Sequence, residues 1–383
     1  MDWVGELSSP LGQRLLREAM AADPSPAGSL RLAEALRARY PAELVAAALT
    51  LAELRVRARA KFSRAERMWF TREGLEQASS ELAAGHRARR CAAAAVVADL
   101  CCGVGGDLLA LARQSQVRAV DLDPLHLRMA GLNARVYEVG DNVRLEQGDV
   151  REVGLDGVDL VHVDPARRQD GRRLRPGVSQ PPLAWCLALS ERVAKVVVKA
   201  APGLPTGLVP PGWELEFVAE GRDLKEAVLW SPALATTERR ATLLPEGSTL
   251  SSEPGPAVPS AAPGAYVVDP ASAVTRAGLV EELARSLAAW KLDDRHAFIS
   301  CDAPVRTPFG RTLRVEASLP WSLRQLRARL RQLGVGAVDL RKRGSPVDVE
   351  RLRRQLDLDG ERRMTVLLTK VLGRPWVLLC EDA

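Results

Sequence analysis

Residues Val97–Asp107 read VADLCCGVGGD, an apolar run that ends in the acid Asp99 and passes into a turn carrying Gly103, Gly105 and Gly106. The apolar stretch LLALA follows directly, at 108–112. A strand, a glycine turn and a helix in that order let backbone N–H groups approach a ligand, because no Cβ stands in the way. A dinucleotide fingerprint needs a third glycine where this chain has Leu108, which disfavours a pyrophosphate ligand. A second acid, Asp121, ends the next strand-like run 18 positions beyond Gly103, where a ribose would need a carboxylate to accept from its hydroxyls. A third, Asp149 in EQGDV, follows the run after that, where an adenine amino group could be met.

Downstream, the alternation continues. Strand patterns at VVADL, VRAVDL, VRLEQGD, VDLVHVD and AKVVVKA are separated by helical ones, as in a parallel sheet covered on both faces. Two more, WELEFVAE and AVLW, are joined by GRDLKE and predict an antiparallel hairpin closing the sheet. Upstream, the first 84 residues place apolar side chains at helical spacing (Leu32, Ala35, Leu36; Leu44, Ala47, Ala48, Leu51), broken by DPSPAG. After the sheet, 246–264 is rich in Pro, Ser and Gly, the composition of a solvated linker, and VTRAGLVEELARSLAAW predicts a helix. The last 73 residues read strand, helix, strand, helix, strand, strand. The domains expected are 1–84 (helical), 85–245 (α/β), 246–310 (linker and bridging helix) and 311–383 (compact α+β).

The 383 residues carry 46% hydrophobic and 27% charged side chains, enough for a sizeable core. Only 16 are aromatic, so stacking platforms are few. The start lacks the pattern of a targeting peptide, and the near-apolar run from Cys91 to Cys102 is interrupted by Asp99 and too short to cross a bilayer, so the expectation is a cytoplasmic protein with no membrane partner. Six cysteines without a CxxC pair and four scattered histidines predict reduced thiols and no metal site. The net charge of +6 is uneven: from Arg311 onward 16 basic residues face 9 acidic ones. Two further basic clusters, one running from Arg55 through Arg57, Arg59, Lys61 and Arg64 to Arg67, the other comprising Arg167, Arg168, Arg172, Arg173 and Arg175, are either solvated surface or phosphate-binding faces.

The order VADLCCGVGGD, AVDLDP, EQGDV, VHVDPARR resembles the first four motifs of class I S-adenosylmethionine-dependent methyltransferases. The lead-in KFSRAERMWFTREGLEQASSELAAGHRA is similar to that of RNA-modifying relatives of the trimethylguanosine synthases, and the module around RKRGSPVDVERLRRQL looks like a THUMP-like domain. The resemblance implies a Rossmann-like seven-stranded methyltransferase sheet, with a helical domain before it and a THUMP-like domain after it. It also implies that S-adenosyl-L-methionine is the cofactor. Asp99 and the turn through Cys101, Gly103 and Gly105 would cradle its methionine end. Asp121, with Leu122, would hold the ribose, with Asp123 as an alternative acid. Asp149 and Val150 would flank the adenine.

The implied acceptor is structured RNA, tRNA or rRNA. In amino-methylating relatives the fourth motif reads Asp, Asn or Ser, then two prolines and an aromatic; here it reads Asp164, Pro165, Ala166, Arg167. Asp164 and Pro165 suit an amino acceptor, and Arg167 could stack on a base or pair with phosphate. Trp69, Phe70 or Trp185 could supply stacking instead. Ribose 2′-hydroxyl methylation is the rival chemistry, with Asp164, Lys199, Lys61 and Glu220 as its candidate groups. A protein or small-molecule acceptor, and a silent RNA-binding protein, are the other readings. Arg341, Lys342 and Arg343 are the expected RNA contacts of the C-terminal module.

Overall fold

The computed structural model describes residues 2–21, 26–166, 168–169, 172–173 and 178–383. The chain forms two compact units, Met1–Ala200 with Trp230–Leu234, and Ala201–Leu229 with Ala235–Ala383. This division differs from the four expected segments.

The first unit opens with helices α1 (Trp3–Ser8), α2 (Pro10–Met20), α3 (Pro26–Arg37), α4 (Ala42–Ala58), α5 (Arg72–Gln77) and α6 (Glu81–Cys91). Four of them start on a polar cap that accepts from a first-turn N–H: Asp2 from Gly5, Ser9 from Gly12, Thr71 from Gly74 and Ser80 from Ala83. In α4 the side chains of Leu44, Ala48, Leu51 and Arg55 recur every three to four residues and are all buried.

The sheet that follows alternates β1 (Val96–Leu100), α7 (Leu108–Leu111), β2 (Gln116–Asp121), α8 (Pro124–Val136), β3 (Val143–Gln147) and β4 (Leu160–Val163). A short ribbon, β5 (Arg168–Gln169) with β6 (Arg172–Arg173), precedes α9 (Leu183–Ala188) and β7 (Lys195–Ala200). Strand order is β3-β2-β1-β4-β7, parallel throughout. The chain winds outward from β1 to β3, then crosses to β4 and β7. The winding reverses between β1 and β4, and the carboxyl ends of these two strands flank the crevice where such sheets take ligands.

In the second unit β8 (Glu214–Glu220) and β9 (Asp223–Trp230, whose last residue belongs to the first unit) are neighbours. Only Gly221 and Arg222 lie between them, and Gly221 has φ +57°, so the turn is shorter than the expected GRDLKE, and residues 223–226 extend the strand. Two strands the sequence reading did not foresee, β10 (Arg239–Leu244) and β11 (Ser248–Ser251), continue from β8. A separate sheet then contains β12 (Tyr266–Pro270), β13 (Trp290–Asp293), β14 (His296–Cys301), β15 (Gly310–Pro320), β16 (Val335–Lys342), β17 (Arg362–Val371) and β18 (Arg374–Asp382), in the order β13-β14-β12-β15-β18-β17-β16.

The stretch expected as linker and bridging helix thus supplies four strands. Its single helix is two, α10 (Ser272–Ala277) and α11 (Val280–Ser286), separated at Gly278, which ends α10 with φ +68°. Helices α12 (Leu323–Gln332) and α13 (Val349–Gln355) bury Leu326, Leu330 and Leu352 with Met364, Val366 and Leu379 of the sheet.

The pairing of β16 with β17 is irregular between Val335 and Ala337, and a Cβ on Gly336 would lie 1.7 Å from the Gly360 carbonyl oxygen. Two backbones touch there without room for a methyl group. Gly336→Ala should lower stability by about 1–3 kcal/mol, read as a lower denaturation midpoint.

Candidate functional site

At the carboxyl ends of β1, β2 and β4 lies a cavity of about 450 Å³. Asp99, Cys101, Gly103, Asp121 and Leu122 line one part of it; Asp149, Val150, Asp164 and Pro165 line another. One expected residue among those described, Gly105, is not in the lining. A Cβ on Gly105 would meet Ala130 at 3.4 Å, so Gly105 backs the turn against α8. Arg167 lies outside the described residues, as does Arg175 of the same basic cluster.

The turn is built from backbone that resists side chains. Cys101 has φ +61° and Gly103 φ +55°, both left-handed, so the chain reverses sharply as it leaves β1. The Gly103 N–H donates to Asp121 Oδ2 at 2.8 Å, and the Asp123 N–H to Asp121 Oδ1 at 2.9 Å. Asp121 therefore faces the glycine turn and retains lone pairs on both oxygens. Asp123 instead caps α8, accepting from Leu125 at 2.8 Å and sitting 3.5 Å from His126 Nδ1.

Beneath the turn is a buried polar network. His162 Nδ1 lies 2.8 Å from Asp99 Oδ1, and its Nε2 lies 3.7 Å from Asp107 Oδ1. Arg87 Nε donates to Asp107 Oδ1 at 2.9 Å, Arg87 Nη2 to Ser79 Oγ at 2.7 Å, and Ser79 Oγ to Asp107 Oδ2 at 2.7 Å. Burial raises the Asp99 carboxyl. Asp107 is equally buried, yet Arg87, His162 and Lys199 hold it below the usual carboxylate range. Burial alone would push the His162 imidazole down; Asp107 and Asp99 outweigh it and hold it up. Asp99 Oδ2 has no hydrogen-bond partner among the described residues.

On the far side, Asp149 takes Arg151 on both oxygens, with Nε at 2.9 and 3.0 Å, and this pairing lowers its carboxyl to about 2. Lys199, nearly fully buried, donates to Asp164 Oδ2 at 2.6 Å. The Ala166 and Gln180 backbones exchange N–H···O bonds of 2.8 and 2.9 Å, pinning together the two ends of the segment between them. Lys61 is committed elsewhere: its Nζ donates to the Leu75 and Ala78 carbonyls, both at 2.8 Å, at the end of α5. Trp69 and Phe70 are buried, which excludes them as free stacking faces here. Sequence reading missed Glu73, Gln77 and Ser79, which also line the cavity and come from the lead-in. Their signal was that segment's unusual polarity before an apolar strand.

Comparison with known proteins sorts the chain into parts. Residues 94–202 match the family described as RNA cap guanine-N2 methyltransferase, 310–382 the one described as THUMP domain-like, and 1–58 a domain of unknown function, DUF8688. Two proteins of Mycobacterium tuberculosis, from strains CDC 1551 / Oshkosh and ATCC 25618 / H37Rv, are each described as an uncharacterized S-adenosylmethionine-dependent methyltransferase. They are 37% identical over 310 residues, 79% of this chain and 84% of each of theirs. A crystal structure of a candidate methyltransferase from Porphyromonas gingivalis W83 has the same fold, with a TM-score of 0.77 and 21% identity over 97% of this chain and 98% of that one.

Removing Arg87 would leave Asp107 charged and buried. Arg87→Ala should therefore destabilise the protein by about 3–5 kcal/mol in chemical denaturation. The raised His162 imidazole contributes stability below the ordinary histidine pKa of about 6.5, lost as pH rises through its folded value; the raised Asp99 acts with the same sign. Melting temperature should thus fall on the alkaline side, and His162→Gln should remove most of that slope. Identical slopes would take His162 out of the titration.

Proposed function

Because this chain belongs to the S-adenosylmethionine-dependent methyltransferases, we propose that the cavity over β1, β2 and β4 holds S-adenosylmethionine and that the acceptor is a base amino nitrogen of structured RNA. The residues present fit the cofactor. Asp99 Oδ2 is a buried acceptor in the cavity wall without a donor among the described residues, which suits an α-ammonium group, and a cation there would favour the ionised carboxylate. A Cβ on Gly103 would meet nothing within 4 Å, so the turn leaves open space beside it. Asp121 would accept from the ribose hydroxyls. Val150, buried, and Leu122, 64% exposed at the rim, offer apolar contact for the adenine, with the Asp149 carboxylate beside Val150.

When bound, S-adenosylmethionine supplies a methyl group already activated on a sulfonium, so what the chain must add is positioning and proton handling. One observation carries the reading: Asp164 and Pro165 line the same cavity as Asp99 and Asp121. Lys199 fixes Asp164 through Oδ2, and Oδ1 has no bond to a described residue, leaving it to accept from an amino group. The Pro165 carbonyl is a second acceptor beside it. With both engaged, the amino lone pair is turned toward the donor, and Asp164 can take the proton the methylated nitrogen loses. RNA as acceptor is supported by the families matched over 94–202 and 310–382 and by the basic C-terminal excess.

The Asp164–Lys199 pair also favours a second reading, ribose 2′-hydroxyl methylation, in which a carboxylate and an ammonium assist loss of the hydroxyl proton. Lys61 does not join that pair, being bound to the end of α5.

The test is transfer of labelled methyl groups to total RNA from cells lacking the gene, followed by nucleoside digestion and mass spectrometry. A base-methylated nucleoside is expected; a ribose-methylated one would establish the second reading, and no label in RNA would overturn both. Asp164→Ala should abolish transfer while cofactor affinity holds, and Asp121→Ala should weaken cofactor binding about tenfold or more.

A further inference from the structure

A second cavity, of about 440 Å³, lies away from the cofactor site among α2, α4 and α8, and no family description assigns it a ligand. Its rim carries three exposed arginines, Arg17, Arg67 and Arg135. Arg55 and Trp69 also line it, each about 5% exposed, with the Arg55 guanidinium 5.6 Å from the Trp69 ring centre. Among the described residues no carboxylate pairs with any of the four arginines. Glu66, also on the rim, is held by Arg59 at 2.6 Å.

Arg55 is the informative residue. Its Nε donates to the Met68 carbonyl at 2.8 Å, its Nη2 to the Arg67 carbonyl at a long 3.4 Å, and its Nη1 only to Met20 Sδ, a weak acceptor. A guanidinium has five N–H donors, so two remain, and the charge itself is balanced by nothing among the described residues. Burial pulls its pKa down to about 10, which leaves it protonated at neutral pH. A buried charge without a counter-ion is costly and is ordinarily matched by an anion. The matching anion has room in the cavity, facing three further positive groups.

We propose that this cavity is a phosphate-ester site, in which Arg55 forks onto the phosphate oxygens, Arg17, Arg67 and Arg135 complete the charge, and the apolar wall takes the attached nucleoside. The ligand chemistry is that of a nucleotide, free or as one unit of an RNA strand. The site is independent of the acceptor reading above, since it uses none of the same residues.

Binding of AMP and of a fluorescent single-stranded oligoribonucleotide is measured on the full chain at low and high salt. Two variants are compared with wild type: Arg55→Met, and the exposed pair Arg17→Gln with Arg135→Gln, which leaves the buried packing intact if Arg55→Met fails to fold. Each should weaken binding about tenfold or more, with a shallower salt dependence. AMP binding lost in the variants assigns the site to free nucleotides as well as strands; loss for the oligoribonucleotide alone assigns it to strand phosphate. Wild-type affinity for both probes in the exposed double variant overturns the proposal.

Discussion

Asp99 and His162 are direct neighbours across the parallel pair β1 and β4, and their buried side chains bond at 2.8 Å. That contact constrains more than its own energy suggests. A slip of one residue between the strands would turn His162 to the opposite face and leave Asp99 buried without any donor. The imidazole's other edge faces Asp107, which Arg87 and Ser79 reach from α6 and the segment before it. Strand register, the start of α7 and the position of α6 are thereby tied into one set of charges. Such networks are weak evidence for stability but strong candidates for specifying one arrangement among several.

A second tie runs from the glycine turn outward. Asn133 of α8, fully buried, donates to the Val104 carbonyl at 2.9 Å and to the Trp69 carbonyl at 3.0 Å, and accepts from the Trp69 N–H at 2.8 Å. The turn that frames the cavity over β1, β2 and β4 and the residue that walls the arginine-lined cavity therefore share one amide side chain. The lead-in before β1 is held in register with the turn by this bond, and Gly74 packs so close to Val104 that a Cβ would approach its side chain to 2.5 Å.

The alternation of short β-branched runs with helices made the first unit legible, because a parallel sheet buried on both faces writes apolar strands without polar interruption. The acids at strand ends were legible for the same reason: Asp99, Asp121 and Asp164 stand out against apolar surroundings, and all line one cavity. AVDLDP alone does not separate the two acids: both line the cavity, and only the fold shows Asp121 bonded to the turn and Asp123 capping α8. The strands after the Pro-, Ser- and Gly-rich stretch were not legible, because β12 is fixed by partners far along the chain. Asp269 of that strand accepts from Arg341 and Arg343, both at 2.9 Å. Nor could the run from Arg55 to Arg67 separate buried Arg55 from exposed Arg57, since a basic run looks uniform in sequence while a helix sorts it by face.

That sorting also changes what the basic C-terminus means. Arg341 and Arg343, expected to face RNA, are turned inward: Arg343 donates to Asp269, the Pro270 carbonyl and Thr275, and Arg341 bridges Asp269 and Asp339. Their charge is balanced inside the unit and contributes little to an external field. Other arginines remain exposed: Arg324, Arg327 and Arg331 on α12, which buries Leu326 and Leu330, Arg351, Arg353 and Arg354 on α13 around buried Leu352, and Arg314, Arg362, Arg363 and Arg374 on strands. Three- and four-residue spacing brings the α12 set onto one face, a row of cations at about 5–6 Å intervals. Phosphates along a strand recur at a similar spacing. If the second unit meets RNA, these exposed side chains, rather than Arg341 and Arg343, are the ones left to meet its phosphates.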